Sequence, residues 1–209
     1  VTARPMPPLA MLVELDAPSV APAPDVAEWA RATFIEEDAE LLNEEHQHLR
    51  FARVGFLWTR VGNGRHGRTI VGQCEVGQPR AMGRWAKARA EHQLEEWFGR
   101  VPDFLVTLFA PYAAACGDAE FCALVEHELL HAGQQRDEFG APKFRQSGLP
   151  AFAIRGHDVE EFVSIVRRYG VGAGAGETLA LVEAAQRAPE IGRAEITSAC
   201  GTCRSLIGA

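Results

Sequence analysis

The sequence predicts an α+β domain in which a small three-stranded sheet packs on helices. Apolar residues recur at helical spacing before residue 50 and after residue 117, and three β-forming runs cluster between them. Glycine, asparagine and proline punctuate those runs, which is the pattern of a sheet interrupted by turns. At 209 residues the chain is long enough for one domain of ordinary size with short tails. Its 47% apolar and 23% charged residues mark it as globular, not disordered.

Residues 1–25 carry Pro5, Pro7, Pro8, Pro18, Pro22 and Pro24 and read as an extended or mobile arm. Asp25 is suited to cap a helix in which Val26, Trp29, Ala30 and Phe34 share a face, and a second helical stretch runs through Leu41, Leu42 and Leu49. Phe51–Arg60 and Thr69–Val76 are strand-like. The turn signal Val61-Gly62-Asn63-Gly64 between them predicts a hairpin. Residues 80–98 are helical in pattern, Pro102 ends that helix, and Phe104–Phe109 is the third strand. Gly117-Asp118 opens a helix, with Asp118 as its cap, that is expected to run to about Gln135. After a Gly/Pro loop a last strong helix covers 158–169 and stops at Gly170. The expected divisions are an arm over 1–25, a domain over 26–170, and a Gly/Ala linker, short helix (177–186) and tail over 171–209. No internal repeat is present.

Twenty-one basic against 28 acidic residues give a net charge of −7, which argues against nucleic acid or an anionic membrane as the main partner. Five cysteines, an odd and sparse set, do not make a disulfide framework and point to a reducing compartment. No apolar run approaches the ~18 residues of a spanning helix, and no secretory signal is legible, so a cytoplasmic location is expected.

The chemistry concentrates at His127-Glu128-Leu129-Leu130-His131, an H-E-x-x-H on a predicted helix. Residues four apart on a helix differ by about 40° in rotation and about 6 Å along the axis, so both imidazoles can reach one ion. Glu128 follows the first ligand directly and stays available to act on a bound water. Leu124 shares that stripe, whereas Val125, Leu129 and Ala132 face the core. A catalytic zinc needs a third protein ligand and an open position. His157, 26 positions beyond His131, is the first choice, and the loop between them lets the chain turn back over the metal. Glu160 and Glu161 are the next candidates, since a carboxylate can replace an imidazole. Asp158 is expected to cap the helix or to orient a ligand imidazole.

Three runs carry a resemblance: Leu124-Val125-Glu126-His127-Glu128-Leu129-Leu130-His131, Asp137-Glu138-Phe139-Gly140, and Ala153-Ile154-Arg155-Gly156-His157-Asp158-Val159-Glu160-Glu161-Phe162. Over about residues 35–170 the chain resembles the phage metallopeptidase family, and more distantly it is similar to SprT-like zinc peptidases. In the latter an H-E-x-x-H helix is followed by a third His in H-x-x-x-F, and His157 and Phe162 stand one residue wider than that. The resemblance implies a small zincin-like domain, phage- or prophage-encoded, that hydrolyses peptide bonds with Zn2+. Independently, three neutral imidazoles on zinc would lower the pKa of bound water toward ~7. Glu128 would take the proton and later pass it to the leaving amine, with a peptide or protein as substrate. The strand Phe104–Phe109 is expected to offer an edge to which an extended substrate adds.

Weaker signals remain. Cys200-Gly201-Thr202-Cys203 is half a zinc site without a second C-x-x-C, and reads as tail. Cys74, Cys116 and Cys122 read as small buried residues, and Trp58, Trp85 and Trp97 as core. His46 and His48 stand two apart, face different sides of a helix and read as solvated surface, with one of them turned toward the metal as the minor alternative. His66 falls in the hairpin loop and His92 on a polar helix face. The basic stretch Arg80–Arg89 reads as a solvated helix face; contact with nucleic acid is the less favoured alternative. The rivals to an enzyme are a non-catalytic, zinc-stabilised binding module and a DNA-associated protein that binds through that basic stretch.

Overall fold

A computed structural model of the chain describes residues 3–65, 68–80, 83–159, 166–167, 170–171, 176–194 and 200–202. The Pro-rich N-terminal stretch carries a short helix, α1 (Leu9–Val13), and a strand, β1 (Val20–Pro22). Pro24 opens α2 (Pro24–Ala30), where its missing N–H costs nothing, and Asp25 lies inside the first turn while Ala23 takes the capping position. The helix widens into a π turn, Arg31–Ile35. Val26, Trp29, Ala30 and Phe34 are all buried, as their spacing predicts. A 3-10 helix, Glu44–Phe51, follows; the side chain of its cap, Asn43, accepts from the Glu45 N–H at 3.0 Å.

Four strands come next, β2 (Val54–Thr59), β3 (Asn63–Arg65), β4 (Arg68–Ile70) and β5 (Gly72–Val76). Helix α3 (Arg84–Phe98), strand β6 (Phe104–Phe109) and helices α4 (Ala110–Ala115) and α5 (Asp118–His131) complete the central part. Strands β7 (Ala132–Gln134) and β8 (Phe152–Ile154) and helix α6 (Glu177–Ala185) follow. Most of the helix expected over 158–169, and of the linker 172–176, lies outside the described residues.

The main sheet has four strands, not three, in the order β1-β2-β6-β5. The extra strand is the proline-bearing β1, which pairs antiparallel with β2. Pro22 is tolerated because β1 is an edge and needs no second ladder. The expected hairpin between β2 and β5 does not form. β6 inserts between them, parallel to β2 and antiparallel to β5, while β3 and β4 pair with each other in a separate two-stranded sheet among the described residues. The reason lies in the composition of β6: Phe104, Val106 and Leu108 are fully buried, so this apolar run is stable only in the middle of the sheet.

Helices α2 and α5 cover the face that carries Phe56, Trp58, Val106 and Leu108. Phe121 of α5 sits with ring centroids 5.4 Å from Trp29 and 6.2 Å from Trp58. On the other face α3 leans through Phe98, which is so near Gly55 that a Cβ there would stand 3.0 Å from its ring. Trp85, expected in the core, is 85% exposed, because α3 turns Leu94 inward and leaves its first turns to solvent. A cavity of about 420 Å³ lies between α3 and the sheet, walled by Leu57, Leu94, Trp97, Leu105, Ile154 and Thr202 among others. Among the described residues no helix is long and apolar enough to cross a membrane.

Helix α5 is capped by Gly117, not by Asp118; the Glu120 carboxylate accepts from the Gly117 N–H at 2.8 Å. It stops at His131, short of the expected Gln135, because Ala132–Gln134 turn into a ladder with Phe152–Ile154. Gly133 permits this: a Cβ there would stand 2.9 Å from the Arg155 Cβ.

Candidate metal centre

His127 and His131 occupy successive turns at the end of α5, and their Nε2 atoms are 3.2 Å apart. The β7–β8 ladder returns the chain antiparallel along the residues just after His131, and the Arg155 N–H donates to the His131 carbonyl at 2.9 Å. Two residues later His157 presents its Nε2 3.4 Å from that of His127. The imidazole centroids are 4.9 to 5.2 Å apart. Tetrahedral zinc with nitrogen bonds of ~2.0–2.1 Å sets neighbouring nitrogens ~3.3 Å apart, so these spacings fit such an ion. Lone pairs converging at this distance repel unless a proton or a cation lies between them.

The orientation of His131 is fixed from behind. Its Nδ1–H donates to the Arg155 carbonyl at 2.7 Å, which leaves the Nε2 lone pair facing the cluster. Asp158 does not take the orienting part expected of it. Its carboxylate accepts from the Arg155 guanidinium at 2.6 Å, and the same guanidinium reaches Glu45 at 2.5 Å. The third-ligand candidates Glu160 and Glu161, together with Phe162, lie outside the described residues, as do His66 and Cys203.

One residue at this centre was not foreseen. The Sγ of Cys200 lies 3.3 Å from the His131 Nε2, and the donor atoms of His127, His131 and Cys200 all fall within 4.8 Å of one another, a group able to hold a metal ion. Cys200 arrives from 69 positions beyond His131. Residues 200–202 run beside β5: Cys200 bridges Gly72 in parallel sense, and the Gly201 N–H donates to the Gly72 carbonyl at 2.9 Å. Thr202 Oγ1 accepts from the Cys74 N–H at 2.7 Å and donates to the Cys74 carbonyl at 2.9 Å. The sequence signal for this was the C-x-x-C, dismissed for want of a second pair; imidazoles supply the remaining donors.

Glu128 is fully buried between the α5 axis and β5. Its Oε2 is 3.3 Å from Thr202 Oγ1, and its Oε1 has no hydrogen-bond partner among the described residues. Burial, reinforced by the neighbouring Cys200, pushes its carboxyl well above the usual carboxylate range. The Thr202 hydroxyl is placed to donate its one hydrogen either to the Cys74 carbonyl or to Glu128 Oε2. Burial, then the charge of His131 and His157, pulls His127 down to about 4 and keeps it neutral, the form a metal requires. For His131 burial acts downward, but its contacts with Cys200 and the Arg155 carbonyl outweigh it and raise the pKa.

Two further expectations are corrected. The surface reading of His46 and His48 fails: His46 is 0% exposed, and His48 is half-buried with its Nε2 2.7 Å from the Ala132 carbonyl. The turns of a 3-10 helix and the packing of Leu49 carry His46 inward. The strand Phe104–Phe109 offers no edge, since both its sides are paired; the edge beside the cluster is β5. Cys74 and Cys122 are buried as expected, and Cys116 is partly so.

A model of the family described as "putative phage metallopeptidase" matches residues 27–186. That span contains His127, Glu128, His131 and His157 and ends before Cys200. No curated protein and no solved structure matches the chain.

Proposed function

Because the chain belongs to the phage metallopeptidase family, whose name implies a metal and a protein or peptide substrate, we propose that it is a zinc-dependent peptidase with a zincin-like centre. The single observation that carries this reading is the convergence of the His127, His131 and His157 imidazoles over the buried Glu128. These three histidines are the proposed protein ligands, and neutral imidazole donors favour zinc among the divalent ions. When bound, zinc supplies Lewis acidity, which polarises a carbonyl and makes water easier to deprotonate.

The chain's own residues then divide the work. Glu128 takes the proton of the attacking water and later delivers it to the leaving amine, the usual task of a carboxyl with a raised pKa. The Arg155 carbonyl keeps His131 in the ligating tautomer. The substrate lies along the β5 edge by backbone pairing, in place of the β6 edge expected from sequence. The cavity beside Thr202 receives one of its side chains. A second reading, a non-catalytic metal-stabilised module, draws on Cys200, because a fourth protein donor closes a site in the manner of structural zinc.

Metal analysis of purified protein tests the ligands. Wild type should carry one equivalent, and His127→Ala and His157→Ala should lose it; loss in Glu160→Ala with retention in His157→Ala would transfer the third position. Hydrolysis of casein is best followed in a Cys200→Ser chain, which lacks the sulfur beside His131. Adding Glu128→Gln should leave the metal in place and slow that hydrolysis by about 10²- to 10⁴-fold. Unchanged hydrolysis in the double variant would count against the proposed base.

A further inference from the structure

The segment Cys200-Gly201-Thr202 fits its place too closely to be a loose tail. A Cβ on Gly201 would stand 2.9 Å from Gln73 Oε1 and 2.9 Å from Ile70 Cγ2, so a larger residue there would have to displace those side chains. Thr202 is 3% exposed and is bonded on both sides to the Cys74 backbone. Its side chain also forms part of the wall of the large cavity. The sulfur of Cys200 joins the donor atoms of His127 and His131 in a group able to hold a metal ion. Three features of the proposed active site therefore meet one short segment: the metal-capable group, the β5 edge and the wall of the cavity.

We propose that residues 200–202 are a self-inhibitory latch, in which Cys200 donates its thiolate to the metal held by His127 and His131 while Gly201 and Thr202 lie on the β5 edge that a peptide substrate needs. The proposal rests on the metal-centre reading above. On ligation the thiol proton leaves to solvent, and release of the latch exchanges sulfur for water with no change in oxidation state. Two observations separate a latch from a permanent structural ligand. The sulfur comes from outside the span that matches the family, and the buried Glu128 carboxyl lies against Gly72, the residue that Cys200 bridges. A purely structural four-ligand site has no use for that carboxyl.

The test uses the full chain loaded with Co2+ in place of zinc. Wild type should bind one equivalent and show sulfur-to-cobalt charge-transfer absorption. Cys200→Ser should keep the metal and the fold, judged by circular dichroism, but lose that absorption. Its zinc form should hydrolyse casein faster on the order of tenfold or more, since the competent population is no longer limited by the latch. Cys203→Ser, three positions away, should keep both the absorption and the low rate. Metal bound without the sulfur band in wild type, a band that survives Cys200→Ser, or a Cys200→Ser rate no higher than wild type would each overturn the latch alone. Retention of metal by His127→Ala would instead overturn the centre on which it depends.

Discussion

Gly72 of β5 lies directly against Glu128 of α5: a Cβ built on the glycine would stand 2.8 Å from the Glu128 Oε1 and 2.7 Å from Leu124 Cδ1. The missing side chain is what lets α5 settle on the sheet edge with its carboxyl between strand and metal cluster. Gly72→Ala should therefore push Glu128 and Leu124 away. Overpacking of this kind costs about 1–3 kcal/mol, so the variant should fold with a lowered denaturation midpoint. A displacement of the proposed base by about 1 Å should slow casein hydrolysis on the order of 10²-fold, measured in the Cys200→Ser background. Metal content should be unchanged, because neither atom is a ligand. Loss of metal together with activity would show that the glycine supports the whole helix end and not the carboxyl.

The parts of this arrangement that the sequence revealed are those set by local pattern. β6 has the bounds predicted from its β-forming run, and Val26, Trp29, Ala30 and Phe34 are buried as their spacing requires. What stayed hidden depends on partners distant in the chain. Strand order is decided by which run can be buried on both sides, and an alternating pattern in β2 and β5 reads the same whether they touch or flank β6. Prolines masked β1, since they argue against a strand unless it is an edge. Cys200 meets His131 across 69 positions through the pairing of residues 200–202 with β5, and no spacing rule relates two such residues. The inward turn of His46 follows from a 3-10 helix whose faces differ from those of the α-helix assumed for it.

His46 should make the fold sensitive to acid. Both ring nitrogens lack a hydrogen-bond partner among the described residues, and burial, then the charge of His48, lowers its pKa to about 4; Glu45 acts in the opposite sense and Arg155 in the same one. The unfolded chain takes up this proton below about pH 6.5, whereas the folded chain does so only near its depressed value. Stability tied to His46 is thus fully present above pH 6.5 and is lost as the pH falls through this interval, by about 3 kcal/mol in all. Replacing His46 with Leu, of similar volume, should remove that part of the slope. Urea unfolding of both chains at about pH 7 and about pH 4.5 should show wild type losing more stability than His46→Leu. Parallel losses would place the acid-sensitive group elsewhere.

The β7–β8 ladder sets the distance between His131 and His157, and Gly133 is its closest point. A Cβ at 2.9 Å from the Arg155 Cβ and 3.3 Å from the Ala153 carbonyl would force the two strands apart. Gly133→Ala should weaken metal binding by about 10- to 100-fold, the range seen when groups that orient ligands are disturbed. Competition with a chromophoric chelator measures this. Affinity equal to that of wild type would mean that His157 is held by some other contact.

Arg4 joins the N-terminal stretch to the helices in a way that separates two kinds of contact. Its side chain is 9% exposed, its guanidinium donates to the Ala113 carbonyl at 2.8 Å, to the Cys116 carbonyl at 2.6 Å and to Asp118 at 2.7 Å, and it lies 5.0 Å over the Phe121 ring. The carbonyls belong to the end of α4, where no intrahelical donor remains for them. Asp118 is 85% exposed, so its ion pair is screened and should contribute less than about 1 kcal/mol. The two carbonyl bonds are made by a charged donor and are worth about 1.5–3 kcal/mol each at most. Arg4→Ala should therefore lower the unfolding free energy by about 3 kcal/mol, and Asp118→Ala by less than about 1 kcal/mol. Arg4→Lys should recover under half of the loss, because a single ammonium cannot reproduce the planar fork that meets both carbonyls. Chemical denaturation of the three variants checks this. A loss in Asp118→Ala as large as that in Arg4→Ala would mean that the ion pair, and not the helix end, holds the N-terminal stretch in place.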